Sequence, residues 1–108
     1  MIELIAVIII IGILSSTAVP KFINMSAEAY RARCQANQGA IASAVALNYA
    51  KAVLDDPSQA EWMSTVTIDE VEADWFATGV VPVCPTTGEY SLNNGNVVCS
   101  VPDHNWNP

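Results

Sequence analysis

Three cysteines carry the most reactive side chains in this chain: Cys34, Cys84 and Cys99. So many thiols in 108 residues indicate an oxidising compartment, in which two of them form a disulfide and one is left over. Cys84 and Cys99 flank a predicted hairpin, and a disulfide between them would close a loop of about 15 residues and contribute about 3 kcal/mol. Cys34 is then a free thiol. A disulfide from Cys34 to one of the other two is the alternative that the sequence leaves open.

The other chemically capable residues lack the partners that catalysis or metal binding needs. No C-x-x-C pair occurs, so neither a zinc ribbon nor a c-type haem is indicated. His104 is the only histidine and has no positioned nucleophile, so a catalytic triad is not expected. Four acids lack the spacing and glycine of a calcium loop and are expected to form a solvated face: Asp69, Glu70, Glu72 and Asp74. We therefore predict no enzyme activity, no metal site and no cofactor.

Charge is distributed unevenly along the chain. Residues 1–54 contain all four basic residues and two acids, whereas residues 55–108 contain nine acids and no lysine or arginine. An acidic half repels phosphate backbones and offers no counterion-releasing contacts. Direct nucleic-acid binding is therefore not expected.

The first twenty residues form an apolar segment with one acid at its start. Eleven apolar or glycine residues run from Leu4 to Leu14, directly after Glu3, and the stretch from Leu4 to Pro20 has no charge. As a helix this stretch would be about 26 Å long, which spans a bilayer if Glu3 and Lys21 lie near the two interfaces. Nothing basic precedes it and no cleavage site follows, so it is not a cleavable signal sequence. Because an unpaired carboxylate is costly in apolar surroundings, Glu3 is expected to need a partner.

A local irregularity is expected at the end of this segment. The ring of Pro20 clashes with the carbonyl of Ser16 in a regular helix and removes one backbone donor. Gly12 further weakens the helix. We predict a kink or unwinding between Gly12 and Pro20.

The remaining chain is predicted to form a second helical stretch and a small head. An apolar stripe at helical spacing consists of Tyr30, Cys34, Ile41, Val45, Tyr49 and Val53. "DDPSQ" ends this helix, and a short amphipathic helix is predicted from Thr67 to Gly79, opened by a capping box with Glu70. Asn94-Gly95 predicts a two-residue hairpin turn, with its apolar face on the helical stripe. The predicted fold is α+β with three parts: residues 1–22, 23–54 and 55–108.

The segment "IELIAVIIIIGILSSTAVPKF" resembles the N-terminal signature of type IV pilins and of the pseudopilins of type II secretion. Glu3, Gly12, Pro20 and the following "KF" have direct counterparts there, and the "CP…GEY…CS" tail is similar to that of small bacterial pilins. Family members begin with an N-methylated aromatic residue two positions ahead of the counterpart of Met1. Those two positions and the basic leader are absent from the sequence as given.

The resemblance implies a structural role. The chain would be the major subunit of an extracellular helical filament of identical subunits, held in the bacterial inner membrane until the membrane-bound assembly machinery extracts it. The acid of one subunit, Glu3, would meet the N-terminal amine of a neighbour and set the register. The residues expected to pack in the filament core are Leu4, Ile5, Val7, Ile8, Ile11 and Leu14. The segment from Gly12 through Ser16 to Pro20 would unwind when the filament stretches.

The sequence leaves two other functions open. One is a type II secretion pseudopilin, which acts as a short periplasmic piston. The other is a single-pass, membrane-anchored binding module with an acidic head. In addition, Asn24-Met25-Ser26 matches the N-glycosylation acceptor pattern, a motif that is common by chance.

Overall fold

One long helix supplies most of the regular structure. The computed structural model describes residues 1–105, and for residues 18–24 it describes the backbone alone. Helix α1 comprises Ile2–Asp55 and confirms the predicted long N-terminal helix. It is helical without a break from Gly12 to Pro20, and the kink or unwinding predicted there stays a prediction. The Ser16 hydroxyl donates to the carbonyl of Ile13 at 2.7 Å and so bonds within the helix. The side chain of Pro20 lies outside the described residues.

The chain divides into two compact units, Met1–Tyr30 and Arg31–Pro108. The first contains the N-terminal part of α1. The second, called the head below, contains the rest of α1 and all later elements. The functional division predicted at residues 22 and 54 stays a prediction.

The helix ends where "DDPSQ" predicted its end. Asp56 is extended, and its side chain accepts a hydrogen bond from the backbone N–H of Ser58 at 2.9 Å. That hydrogen bond also lowers the pKa of Asp56. Pro57 opens a 3₁₀ turn (Pro57–Glu61), which leads into the short helix α2 (Trp62–Thr65). Proline favours the first turn of a new helix because its missing donor would be unpaired there in any case.

The segment from Thr67 to Gly79 is not the continuous helix that the sequence predicted. It forms two separate 3₁₀ turns, Ile68–Glu70 and Ala73–Trp75. The capping box is confirmed, because the Glu70 carboxylate accepts from the Thr67 N–H at 2.7 Å. Val71 then takes an extended conformation and is buried in the core. Packing of Val71 outweighs the weak helical tendency of so short a segment.

The hairpin is confirmed with its predicted register. Strand β1 (Tyr90–Asn93) pairs antiparallel with β2 (Asn96–Cys99), so that Tyr90 lies opposite Cys99 and Leu92 opposite Val97. Asn94 and Gly95 both have positive φ, 50° and 80°, as a type I′ turn requires. A last 3₁₀ turn follows at Pro102–His104.

The main core of the head lies between α1 and the later segments. Its buried members are Ile41, Val45, Val66, Val71 and Val97. The partly buried residues packed around them include Trp62, Ile68, Trp75, Phe76 and Leu92. The apolar face of the hairpin therefore packs on the helical stripe, as predicted. Tyr30 differs from the expectation, because nearly half of its surface is exposed.

Candidate functional site

The N-terminal unit presents apolar side chains on every side of its helix. All ten large apolar residues between positions 2 and 14 have at least half of their surface exposed: Ile2, Leu4, Ile5, Val7, Ile8, Ile9, Ile10, Ile11, Ile13 and Leu14. They include all six residues predicted to pack in a filament core. Consecutive helical positions lie about 100° apart, so positions 7–11 already cover the full circumference. A helix that is apolar all round is typical of a segment buried in a larger assembly or in lipid.

Within the part of the chain whose side chains are described, no helical segment combines the length and hydropathy that crossing a membrane requires.

Glu3 is the one acid among residues 1–17 of this unit. It lies in the first turn of α1 and is exposed. No other residue that the structure describes forms a hydrogen bond or ion pair with its carboxylate. A carboxylate at this position interacts favourably with the positive end of the helix dipole. Its partner in an assembly stays a prediction.

A second candidate site lies in the head, where four widely separated residues meet. Cys34 comes from α1, Cys84 from the loop before the hairpin, Cys99 from the end of β2, and His104 from the last 3₁₀ turn. The Sγ atoms of Cys34 and Cys84 are 3.8 Å apart, as are those of Cys84 and Cys99. The Nδ1 atom of His104 is 3.6 Å from the Cys84 Sγ atom. One ligand atom from each of the four residues lies within 4.8 Å of the others, and all four residues are buried. We call these residues the Cys3His cluster.

No known family profile, curated protein or solved structure matches this chain.

The predicted disulfide between Cys84 and Cys99 is wrong for this structure. All three cysteines are free thiols. A disulfide needs an S–S distance of about 2.05 Å, whereas these sulfurs are 3.8 Å apart. The physical reason is that Cys84 lies equally close to Cys34, so three sulfurs share one site and no pair is singled out. The alternative disulfide from Cys34 is absent for the same reason.

Hydrogen-bond donors surround the sulfur atoms. The hydroxyl of Tyr90 lies 3.3 Å from the Cys34 Sγ atom, and that of Thr86 lies 3.3 Å from the Cys84 Sγ atom. The side-chain amide of Gln38 donates to the Cys34 Sγ atom at 3.5 Å and to the carbonyl of His104 at 2.8 Å. That carbonyl can only accept, which fixes the orientation of the amide. The other amide atom, Oε1, has no hydrogen-bond partner among the described residues.

The three thiols do not share one electrostatic environment. Burial opposes ionisation of Cys84, but hydrogen bonds from Thr86, His104 and Cys34 outweigh it and lower its pKa to about 6. Burial raises the pKa of Cys99 to about 11, and the neighbouring Cys34 and Cys84 add to that rise. Burial and the hydrogen bond with Cys34 likewise raise the pKa of Tyr90. Cys84 therefore ionises more readily than Cys99, and the thiolate is the form that binds metals and attacks electrophiles.

Gly88 lies directly against the sulfur atoms. A Cβ atom at this position would lie 2.6 Å from the Cys99 Sγ atom and 2.9 Å from the Cys84 Sγ atom. Both distances are far below normal van der Waals contact. The absence of a side chain at Gly88 is therefore what allows the loop to close over the cluster.

Part of this second site could be predicted from the sequence. It placed Cys34 on the apolar stripe and paired Tyr90 with Cys99, and both are confirmed. The expectation that the chain has no metal-ligand cluster missed the site, because it relied on short ligand spacings. His104 was the missed residue, and a signal was present: it lies five positions after Cys99.

The other predicted residues do not join either site. The acids Asp69, Glu70, Glu72 and Asp74 are all exposed, which confirms the predicted solvated face. The side chain of Asn24 lies outside the described residues, so its glycosylation stays a prediction.

Proposed function

We propose that this chain is the major structural subunit of an extracellular filament of the type IV pilus kind, and that it polymerises through its N-terminal helix. The observation that carries the proposal is the N-terminal unit itself, which is apolar on every side and has one exposed acid in its first turn. The resemblance of residues 2–22 to the pilin signature indicates that the filament is of the type IV pilus kind. The occupant proposed for this surface is other copies of the same helix.

Burial of the apolar surface supplies a large favourable free energy for forming such a bundle in water. Full burial of an isoleucine or leucine side chain gives about 2 kcal/mol. The ten residues retain at least half of their surface exposed, so each has about 1 kcal/mol left to gain on assembly. The total is about 10 kcal/mol per subunit, which is of the same order as the roughly 4–15 kcal/mol that association costs in lost translational and rotational freedom.

Apolar burial does not select a register between neighbouring helices. We propose that Glu3 selects it. The unbroken run of isoleucines from Ile8 to Ile11 packs almost equally well after a shift along the helix. A buried carboxylate without its partner costs about 3–5 kcal/mol, so a shifted register is strongly disfavoured. Before assembly the subunit is proposed to reside in the inner membrane, where lipid tails are as apolar as isoleucine. Moving the helix from lipid into the filament then gains little from burial, and neutralisation of Glu3 by a neighbouring amine contributes a larger share.

Charge reversal at Glu3 tests the proposal. In cells that express the full precursor, Glu3→Lys is expected to reduce shear-released filaments at least tenfold, because it places two cations together in the filament core. Glu3→Gln keeps the size, loses the charge and is expected to have an intermediate effect. Filaments are quantified by immunoblot of the sheared fraction against the cell pellet, and electron microscopy with side-chain density identifies the subunit.

The matched control is Glu61→Lys, the same change at an exposed acid in the head. It is expected to leave filament yield unchanged. A wild-type yield with Glu3→Lys would contradict the proposal, as would surface fibres that lack this chain. Short assemblies confined to the periplasm would favour the pseudopilin function, and solitary molecules in the membrane would favour the binding module.

A further inference from the structure

The geometry points to a structural metal site: we propose that Cys34, Cys84, Cys99 and His104 together bind one zinc ion. The ion would be held by three thiolate sulfurs and by Nδ1 of the imidazole. This proposal depends only on the head and is independent of the filament.

The distances from the Cys84 sulfur to the other three ligand atoms are those of a tetrahedral zinc site, and all four ligand atoms lie within 4.8 Å of one another. With Zn–S bonds of about 2.3 Å and a Zn–N bond of about 2.0 Å, tetrahedral angles put neighbouring sulfurs about 3.8 Å apart and a sulfur and nitrogen about 3.5 Å apart. The Cys84 sulfur lies 3.8 Å from the sulfurs of both Cys34 and Cys99, and 3.6 Å from Nδ1 of His104. The three edges that meet at the Cys84 sulfur therefore match the ideal zinc geometry to about 0.1 Å. Thiols in plain van der Waals contact lie at similar separations, so what indicates a metal is the convergence of three sulfurs and one imidazole nitrogen within 4.8 Å of one another.

The ligand set and its burial indicate a structural zinc rather than a catalytic one. Three cysteines and one histidine are an established zinc combination, in which all four positions are filled by protein. Cys34 is fully buried and the other three ligands are less than a tenth exposed. No position is left for substrate or water, so the ion would hold segments together.

The groups around the ligands suit thiolates bound to a cation. The amide of Gln38 and the hydroxyls of Tyr90 and Thr86 each lie within hydrogen-bond distance of a sulfur atom. Such donors orient the ligands and stabilise the charge that remains on metal-bound sulfur. The amide of Gln38 also holds the carbonyl of His104, which links the fourth ligand to α1.

A zinc ion at this site would also stabilise the head by joining segments that are distant in the sequence. Its ligands join α1, the loop before the hairpin, β2 and the last 3₁₀ turn, which are separated by up to 70 positions in the sequence. Among the residues that the structure describes, the main core contains five buried ones, and domains with so small a core are usually held together by a metal or by disulfides. Zinc binding would therefore be coupled to folding of the head.

Metal analysis of the full chain tests the proposal. The chain is purified in mild detergent under reducing, oxygen-free conditions, supplied with Zn²⁺, and passed through a desalting column. We expect one zinc per chain by elemental analysis. Co²⁺ in place of Zn²⁺ is expected to give the strong visible absorption of tetrahedral coordination and sulfur-to-cobalt charge-transfer bands. X-ray absorption on the zinc form is expected to give three sulfur ligands and one nitrogen ligand.

Variants connect the metal to the four residues. His104→Gln is expected to weaken zinc binding at least tenfold, whereas Asp103→Asn, a change at the adjacent exposed acid, leaves it unchanged. Zinc is also expected to protect all three thiols from alkylation, a readout that needs no variant. The proposal is overturned if the reduced, folded wild-type chain retains less than one-tenth of an equivalent of zinc. It is equally overturned if the absorption data show oxygen ligands in place of sulfur. A chain that forms a disulfide and, after reduction, binds no zinc would restore the original disulfide interpretation.

Discussion

Replacement of Ile41 by alanine is expected to lower the free energy of unfolding of the head by about 3 kcal/mol. Ile41 is fully buried and belongs to the main core with Val45, Val66, Val71 and Val97. Truncation of a buried isoleucine removes its transfer free energy and leaves a cavity, which together cost about 2–5 kcal/mol. Urea unfolding of the full chain in detergent measures the loss. Tryptophan fluorescence is a suitable signal, because Trp62 and Trp75 pack against this core.

Leu47→Ala is the matched control, since it truncates an aliphatic side chain on the same helix. Leu47 is 59% exposed, so the change is expected to alter the free energy of unfolding by less than about 0.5 kcal/mol. Equal effects of the two variants would mean that the stripe containing Ile41 does not form the core of the head. A loss below about 1 kcal/mol for Ile41→Ala would mean the same.

Local sequence rules were sufficient wherever one short-range interaction decides the structure. The Asn94-Gly95 turn requires positive φ at two successive positions, and few other dipeptides adopt it readily. Once that turn is placed, alternation along the strands determines that Leu92 and Val97 share a face. The capping box at Thr67 and Glu70 is local in the same sense.

The same local rules failed where tertiary packing determines the backbone conformation. The residues that follow Thr67 have a helical pattern, but burial of Val71 in the core requires an extended backbone at that position. Propensity differences of a few tenths of a kcal/mol per residue are smaller than the gain from burying one valine. The predicted apolar contacts of Ile68, Trp75 and Phe76 are nevertheless present, because they depend on side-chain type rather than on backbone regularity.

Most of the Cys3His cluster was missed from the sequence for a topological reason, although His104 lies only five positions after Cys99. Cys34 and Cys84 are separated by 50 positions, and they meet only because the folded chain returns to α1. Cysteine count alone favours a disulfide, since a pair is the simplest use of two thiols in an oxidising compartment. The fourth ligand changes that interpretation, because a histidine beside three sulfurs has no role in a disulfide but completes a tetrahedron.

The two proposals impose different conditions on the same thiols. A filament subunit folds its head outside the cytoplasm, where free thiols are readily oxidised. Oxidation of two of these thiols to a disulfide would release two protons and two electrons to an external oxidant and would remove two of the four zinc ligands. Burial of all three sulfur atoms and coordination of their lone pairs both slow that reaction. The proposed metal would therefore preserve the reduced cluster in a compartment that otherwise favours disulfides.

Gly88→Ala is expected to lower the free energy of unfolding of the zinc-loaded chain by about 2 kcal/mol and to weaken zinc binding at least tenfold. The added methyl group would lie 2.6 Å and 2.9 Å from two sulfur atoms and 3.0 Å from Cγ2 of Val101. Insertion of one carbon into a packed interior costs about 1–3 kcal/mol. The backbone of Gly88 is not in the left-handed region, so the cost is steric alone. Urea unfolding and a competition titration with a zinc chelator measure the two effects.

Gly39→Ala is the control, because a Cβ atom there meets no atom within 4 Å and the residue lies inside α1. It is expected to stabilise the chain by about 0.5–1 kcal/mol and to leave zinc affinity unchanged. A comparison with and without metal then separates packing from coordination. Free cysteine side chains can rotate away from a new methyl group, whereas sulfurs bound to one ion cannot. The penalty of Gly88→Ala is therefore expected to fall when the metal is removed, and a penalty unaffected by removal of zinc would mean that no ion fixes the two sulfurs.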